Sequence, residues 1–325
     1  MSKWKAVFTV LILVLLSGCA GSSSAPASAA GEDAGKAVLS ASDDSNEKIS
    51  GADNGAGSVK KEEDVKKEDK PSVVFSDPIQ PEPRESKGEK LDFTVLDKLD
   101  NTKYGWGLTL NNQHTTPGVS SQAKKLLSKY DGFYVGDTSK KIIYLTFDEG
   151  YENGYTPKIL DTLKENDVKS IFFVTGPYVR ENPQLVKRML DEGHLVGNHT
   201  INHPSLPQVS DASLEKELYG LEKEFSAAFG KGFKYMRPPM GEYSERVLAA
   251  AKQLGYKTIF WSFAYLDYDV KNQKGADHAY NMVMKNLHNG AVILLHAVSK
   301  DNAEALDRII KGIRDEGYEI RPFDL

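Results

Sequence analysis

Two pairs of residues in this chain could do chemistry together. Asp148 and Glu149 follow directly on an apolar run, KIIYLTF, and His199 and His203 stand four apart in HTINHP. Imidazole with carboxylate is a ligand set for zinc or another divalent first-row metal. Two histidines and Glu149 would make three protein ligands and leave a position open for water, as a hydrolytic site requires. A bound divalent cation lowers the pKa of that water and polarises a carbonyl. Asp148 could then take the water's proton as general base. Each feature also has a plainer reading. An apolar strand can end in an acidic surface turn, and two histidines can sit on a capped turn.

Three more polar residues stand at comparable places. Arg237 lies in MRPPMG, Asp267 in AYLDYD and His296 at the end of AVILLH. Arg237 could hold Asp148 ionised through a bidentate pair, or serve a structural ion pair. His296 could protonate a leaving group, with Asp267 orienting it and keeping it charged; Asp267 could equally be an exposed loop acid. Tyr151, Tyr155, Trp261 and Tyr265, with Pro238 of the RPP stretch, offer surface on which a sugar ring could pack, although a core uses such residues too.

The elements that must carry these residues follow a rhythm that begins at Lys141. KIIYLTF, SIFFVT, HLVGNHT, KYMRPPMG, KTIFWSF and AVILLH read as short strands or strand ends. Between them lie helical patterns. TPKILDTLKEND has Thr156 as candidate N-cap and Pro157 in the first turn. NPQLVKRMLDEG ends in glycine, and SDASLEKELYGLEKEFSAAFG reads as one long amphipathic helix. Strand–helix alternation implies parallel βαβ units. No Gly-rich phosphate loop follows the first strand, which favours an irregular (β/α) barrel of about seven strands over an open doubly wound sheet. In either case the functional face lies at the strand C-termini, where all the residues above stand. The spacing of His199 and His203 predicts one helical turn, kept short by Pro204.

The rest of the 325 residues bound the context. A net charge of −5 gives no basic footprint for nucleic acid. Cys19 is the single cysteine, so no intrachain disulfide and no Cys-rich zinc site can form. MSKWK is a positive head, AVFTVLILVLL an apolar stretch short for a bilayer, and LSGC places small residues before Cys19. Residues 1–19 therefore read as a bacterial lipoprotein signal with lipid on Cys19; an ordinary secretory signal, or an uncleaved anchor with an incidental cysteine, is the other reading. Both place the mature protein on the outer side of a membrane. Residues 20–90 are small, then charged, then proline-rich, and read as a disordered tether without a site of its own. Residues 91–140 read as an arm packing on the main domain, 141–325.

TFDEG, HTINHP, RPPMG, WSFAYLDYD and AVILLHAVS resemble, in order, the five motifs of the polysaccharide deacetylases (carbohydrate esterase family 4, NodB-like). The resemblance implies an irregular (β/α) barrel that uses a divalent metal, zinc by preference, to remove acetyl groups from N-acetylated sugars. It implies Asp148 as base, His199 and His203 as metal ligands, Arg237 as support of the base, and Asp267 and His296 as the later catalytic pair. GYENGYTPKILDTL, EGHLVGNHT and LLHAVSKDNAEAL, with YGWG and LLSKYDGFYVGD upstream, are similar to the muramic δ-lactam-forming deacetylases of endospore formers. Those act on N-acetylmuramic acid of spore-cortex peptidoglycan after an amidase has removed the stem peptide. The pattern departs at Glu149, where the wider family has aspartate and the δ-lactam subgroup often asparagine, and at Tyr268 in place of tryptophan. A deacetylase of N-acetylglucosamine in peptidoglycan or another glycan, and an inactive glycan-binding homologue, are the alternatives.

Overall fold

The computed structural model describes residues 80–83, 91–111 and 113–323. Cys19, the signal-like segment and all of the expected tether except residues 80–83 lie outside them. Among the described residues ten strands run in chain order: β1 Tyr104–Gly105, β2 Gly132–Phe133, β3 Ile142–Glu149, β4 Ile171–Val174, β5 Leu195–Asn198, β6 Tyr235–Met236, β7 Glu242–Tyr243, β8 Lys257–Ile259, β9 Ala291–His296 and β10 Glu319–Ile320. The α-helices are α1 Phe93–Leu96, α2 Ser121–Lys129, α3 Thr156–Glu165, α4 Gly176–Glu181, α5 Pro183–Asp191, α6 Asp211–Glu215, α7 Leu221–Phe229, α8 Glu245–Gln253, α9 Ala276–Lys285 and α10 Lys300–Asp315. Among the described residues no helix is long and apolar enough to cross a membrane.

The main sheet is parallel, in the order β10-β3-β4-β5-β6-β8-β2, with β9 also against β3. A bridge from Phe263 to Ile293 joins the β8 side to β9, so the strands curl into the irregular barrel expected. Alternation along β3 sorts its side chains. Ile143, Leu145 and Phe147 join the larger cluster, with Ile159 and Leu163 of α3 and Leu306 and Ile310 of α10. Ile142 and Tyr144 join a smaller cluster with Phe173, Tyr235, Val292 and Phe323. Each such large side chain contributes about 1.5–3 kcal/mol by leaving water, so both faces of β3 are committed and its register is fixed.

Three local expectations are corrected. Thr156 is the first residue of α3 rather than its cap; Tyr155 holds the cap position, with no side-chain cap bond. Glu152 does the capping, accepting from the backbone N–H of Gly154 at 2.5 Å and of Thr156 at 3.4 Å. The long helix over 211–229 is not uniform: Lys216–Gly220 between α6 and α7 is π-helical. Residues 80–83 of the expected tether are not structureless. Gln80 is buried, and its side-chain amide accepts from Val196 N at 2.8 Å and donates to Val196 O at 2.8 Å and Gly232 O at 2.7 Å. β5 pairs with β6 only at Asn198↔Met236, so the peptide group at Val196 has no strand partner on that side. The Gln80 amide supplies the missing donor and acceptor. Gly232 N donates to Pro81 O at 2.7 Å, and a Cβ at Gly232 would stand 2.7 Å from Glu82 O. Only glycine lets the strap lie so close.

The arm, 91–140, is held on the barrel by aromatic contacts. Trp106 stacks on Phe260 with ring centroids 4.3 Å apart, and its indole N–H donates to Trp261 O at 2.9 Å. β1 pairs antiparallel with β7.

Candidate active site

Asp148 sits on the inner face of β3 near its C-terminal end, two residues beyond Thr146 on the same face. Arg237, fully buried just after β6, donates from Nη1 to Asp148 Oδ1 at 2.7 Å. Its Nη2 donates to Thr146 Oγ1 at 2.9 Å and its Nε to Ile259 O at 3.1 Å. The guanidinium lies over the Phe173 ring, 4.2 Å from the centroid. The expected bidentate pair is thus a single bond, because Thr146 and the backbone take the other donors. Burial works against an ionised Asp148, but Arg237, with His199 and His296, outweighs it and holds the carboxyl below its usual value.

His199 and His203 converge, with ring centroids 4.8 Å apart, but not on a helical turn. Thr200 and His203 both have left-handed φ, 67° and 57°. The turn is tied by side chains: Asn198 Oδ1 accepts from Thr200 N at 2.8 Å and Thr200 Oγ1 from His203 N at 3.0 Å. The π-helical stretch supports it from below. Glu217 accepts from Asn202 N and Nδ2, both at 2.7 Å, and Leu218 O accepts from Asn198 Nδ2 at 2.9 Å. An inserted π turn at a functional element has this use: it re-aims backbone and side chain without ending the helix.

The tautomer of His199 follows from its neighbours. Nδ1 lies 2.8 Å from Arg237 O, a carbonyl that can only accept, so Nδ1 carries the proton. The Nε2 lone pair then faces Asp148 Oδ2 at 3.5 Å. Burial holds His199 below the ordinary histidine pKa despite Asp148. His203 stands at the mouth with its outer edge exposed; desolvation of its inner side, then His199, push it down as well.

Glu149 departs from expectation. Being the next residue on β3, it turns to the opposite face. It is fully buried, and its carboxyl accepts from Thr156 Oγ1 at 3.4 and 3.5 Å. Tyr178 O–H lies 3.2 Å from the same hydroxyl. No histidine is among its hydrogen-bond partners. Burial, then Glu152, push its pKa well above the usual carboxyl value. The extra methylene does not bring it round to the histidines, because β3 remains pleated through this position.

On the neighbouring strand, His296 ends β9 beside Asp148, its register partner. Its Nδ1 lies 2.7 Å from Asp267 Oδ1, and its backbone N–H donates to Asp267 Oδ2 at 2.8 Å. Burial disfavours the imidazolium, but Asp267 outweighs it and the pKa is raised. Asp267 is itself buried, so it is not an exposed loop acid.

The aromatic candidates divide. Tyr151 is half exposed at the strand end. Trp261 is partly exposed and braces the RPPMG loop, where a Cβ on Gly241 (φ 65°) would meet its ring at 2.8 Å. Tyr155 packs on the core. Pro238 is buried and offers the cleft little surface. Tyr265 turns its hydroxyl inward to Asn302 Oδ1 and so presents no polar tip to a sugar. Two residues were missed: Thr146, which strand alternation from Asp148 would have found, and Asn302. Tyr268, noted in the sequence as a departure, is 56% exposed, with its ring centroid 5.2 Å from that of His296.

The donor set fits a divalent cation in part. A lone pair and a carboxylate oxygen facing each other at 3.5 Å are two acceptors with no donor between them, and neutral imidazoles are the ligating form. His199 and His203 meet that need; Glu149 does not. Among the described residues no three His, Cys, Asp or Glu side chains form a complete ligand group.

Residues 135–259 match the family model for polysaccharide deacetylase. Over 227 residues the chain is 47% identical to the peptidoglycan-N-acetylmuramic acid deacetylase PdaA of Bacillus subtilis, covering 70% of this chain and 86% of that one. It is 37% identical over 183 residues to a peptidoglycan-N-acetylglucosamine deacetylase of Bacillus cereus, covering 55% and 85%. The solved structure of B. subtilis PdaA, described as a family 4 carbohydrate esterase, superposes with a TM-score of 0.67 over 69% of this chain and 96% of that one.

Proposed function

The chain belongs to the polysaccharide deacetylases, hydrolases of N-acetylated sugars, and from that premise we propose that it deacetylates N-acetylmuramic acid in peptide-free peptidoglycan strands. The observation that carries the reading is the pairing of Asp148 and His296 at the ends of adjacent strands. Arg237 lowers the pKa of Asp148, and Asp267 raises that of His296. Two titratable groups whose surroundings push their pKa values apart are suited to base and acid work.

In this reading Asp148 accepts a proton from the attacking water, whose oxygen bonds to the acetyl carbon. His296 gives its proton to the sugar nitrogen as the C–N bond breaks, leaving acetate and an amine. His199 and His203 would hold the divalent cation, taken here as zinc, which when bound supplies Lewis acidity to the carbonyl and acidity to the water. Arg237 keeps the base oriented, and Tyr151 and Trp261 border the sugar. The freed amine would then close on the lactyl carboxyl with loss of water, giving the muramic δ-lactam of spore cortex. An amidase acting beforehand would supply such strands. The lipoprotein-like start supports attachment through Cys19 at the outer membrane face, in the forespore or spore envelope.

The muramic reading draws on identity to the B. subtilis relative. The B. cereus relative supports N-acetylglucosamine as the second candidate. Acetate release and product mass would be followed on glycan strands with and without stem peptides, with zinc or chelator, beside Asp148→Asn. Release confined to peptide-free strands, with a further loss of water at muramic acid, is expected. Release from glucosamine residues would move the substrate. Binding without release from either would leave a glycan-binding homologue.

A further inference from the structure

We propose that Asn302 is a positioning residue for His296, acting through Asp267, with Tyr265 setting the orientation of its amide. The inference rests on the acid role given to His296 above.

Asn302 lies in the first turn of α10 and is 1% exposed. Its place is fixed by the helix cap, since its backbone N–H donates to Ser299 Oγ at 3.2 Å. From there Nδ2 donates to Asp267 Oδ2 at 2.6 Å and to His296 O at 3.2 Å. Oδ1 accepts from the Tyr265 hydroxyl. Both ends of the amide are therefore used. Rotating it by half a turn would set an oxygen against the Asp267 carboxylate, so one orientation is favoured.

Asp267 needs this help. It lies on the irregular stretch between β8 and α9, not on a strand. Its backbone carbonyl accepts from Gln273 Nε2 at 3.0 Å, which fixes the main chain but not the carboxylate. The carboxylate plane is set by three donors: His296 Nδ1 on Oδ1, and His296 N and Asn302 Nδ2 on Oδ2. The first two belong to the residue being oriented. Asn302 is the third, and it comes from a different element with a capped, buried backbone. Without it, the carboxylate and the imidazole could turn together, and the fixed Nδ1–H tautomer that leaves Nε2 for the substrate would be lost.

A purely structural role is separated from this one by a double-mutant cycle in the full chain: wild type, Asn302→Ala, Asp267→Asn and the pair. On peptidoglycan strands, Asn302→Ala is expected to lower kcat roughly tenfold with KM within about twofold, and to add nothing in the Asp267→Asn background. Losses that multiply would overturn the proposal. A second readout needs no substrate. The His296 Nδ1 proton, followed by nitrogen-resolved NMR, is expected to be sharp in the wild type and broadened by exchange in Asn302→Ala. An unchanged signal in the variant would equally overturn it. Should the wild type release no acetate, the deacetylase reading falls and the imidazole signal alone decides the positioning. Should Asn302→Ala fail to fold, Tyr265→Phe takes its place, with a smaller loss of about threefold and the same non-additivity.

Discussion

The two faces of β3 carry neighbouring carboxylic acids with opposite fates. On the inner face, Asp148 meets a buried guanidinium and the edge of an imidazole, and is held charged. On the outer face, Glu149 meets a threonine hydroxyl and a second acid, and is driven toward its neutral form. Chemical type does not separate them; one step of a two-residue period does. Both carboxyls are buried, so the presence of a cation partner decides which can act as a base.

The strongest way to break the contrast is Asp148→Asn, which keeps shape and removes the base. Acetate release on peptidoglycan strands is expected to fall about a thousandfold; a variant within tenfold of wild type would remove Asp148 from the chemistry. Next comes Arg237→Met, which leaves Asp148 buried without its cation and is expected to cost about 3–5 kcal/mol in denaturant unfolding. The surviving activity should also shift. Asp148 works when ionised, and Arg237 keeps its folded pKa depressed, so the acidic limb of kcat/KM should move to higher pH in the variant. An unmoved limb would mean that Arg237 does not set the charge of Asp148.

Glu149→Gln should do least. Activity is expected to stay within about threefold and zinc affinity within about tenfold; a larger loss of zinc would show that the outer acid reaches the metal after all. Stability should move in a set direction. The folded pKa of Glu149 is raised, so its contribution to the fold is fully present below the ordinary value of 4.5 and is lost as pH rises through the folded value. Glutamine should therefore stabilise the protein near pH 8 and leave its stability unchanged near pH 4. Thermal melts at the two pH values would check this, and a gain at both alike would remove titration as the cause.

Much of this was legible because catalytic side chains at strand ends leave a local trace: an apolar run, then an acid, an imidazole or an arginine. Asp148, His199, Arg237, Asp267 and His296 all carry that trace, and the barrel follows from the alternation between them. The side taken by Glu149 depends on how far the pleat persists, which the adjacent acids do not reveal. The histidine turn was misread because His199 and His203 match helical spacing while side-chain bonds from Asn198 and Thr200 hold a left-handed path. Asn302 and Gln80 leave no local trace at all. Their meaning lies in partners up to 152 residues away, and an isolated amide in a polar stretch looks like any other.

The Gln80 strap also decides where a mechanical load would enter. A pull applied at Gln80 would load its amide bonds to Val196 and Gly232 before anything in the RPPMG loop. Val196 is near the start of β5, whereas His199 lies beyond its end. A pull at Gln80 is therefore borne near the start of β5, away from Asp148 and His296.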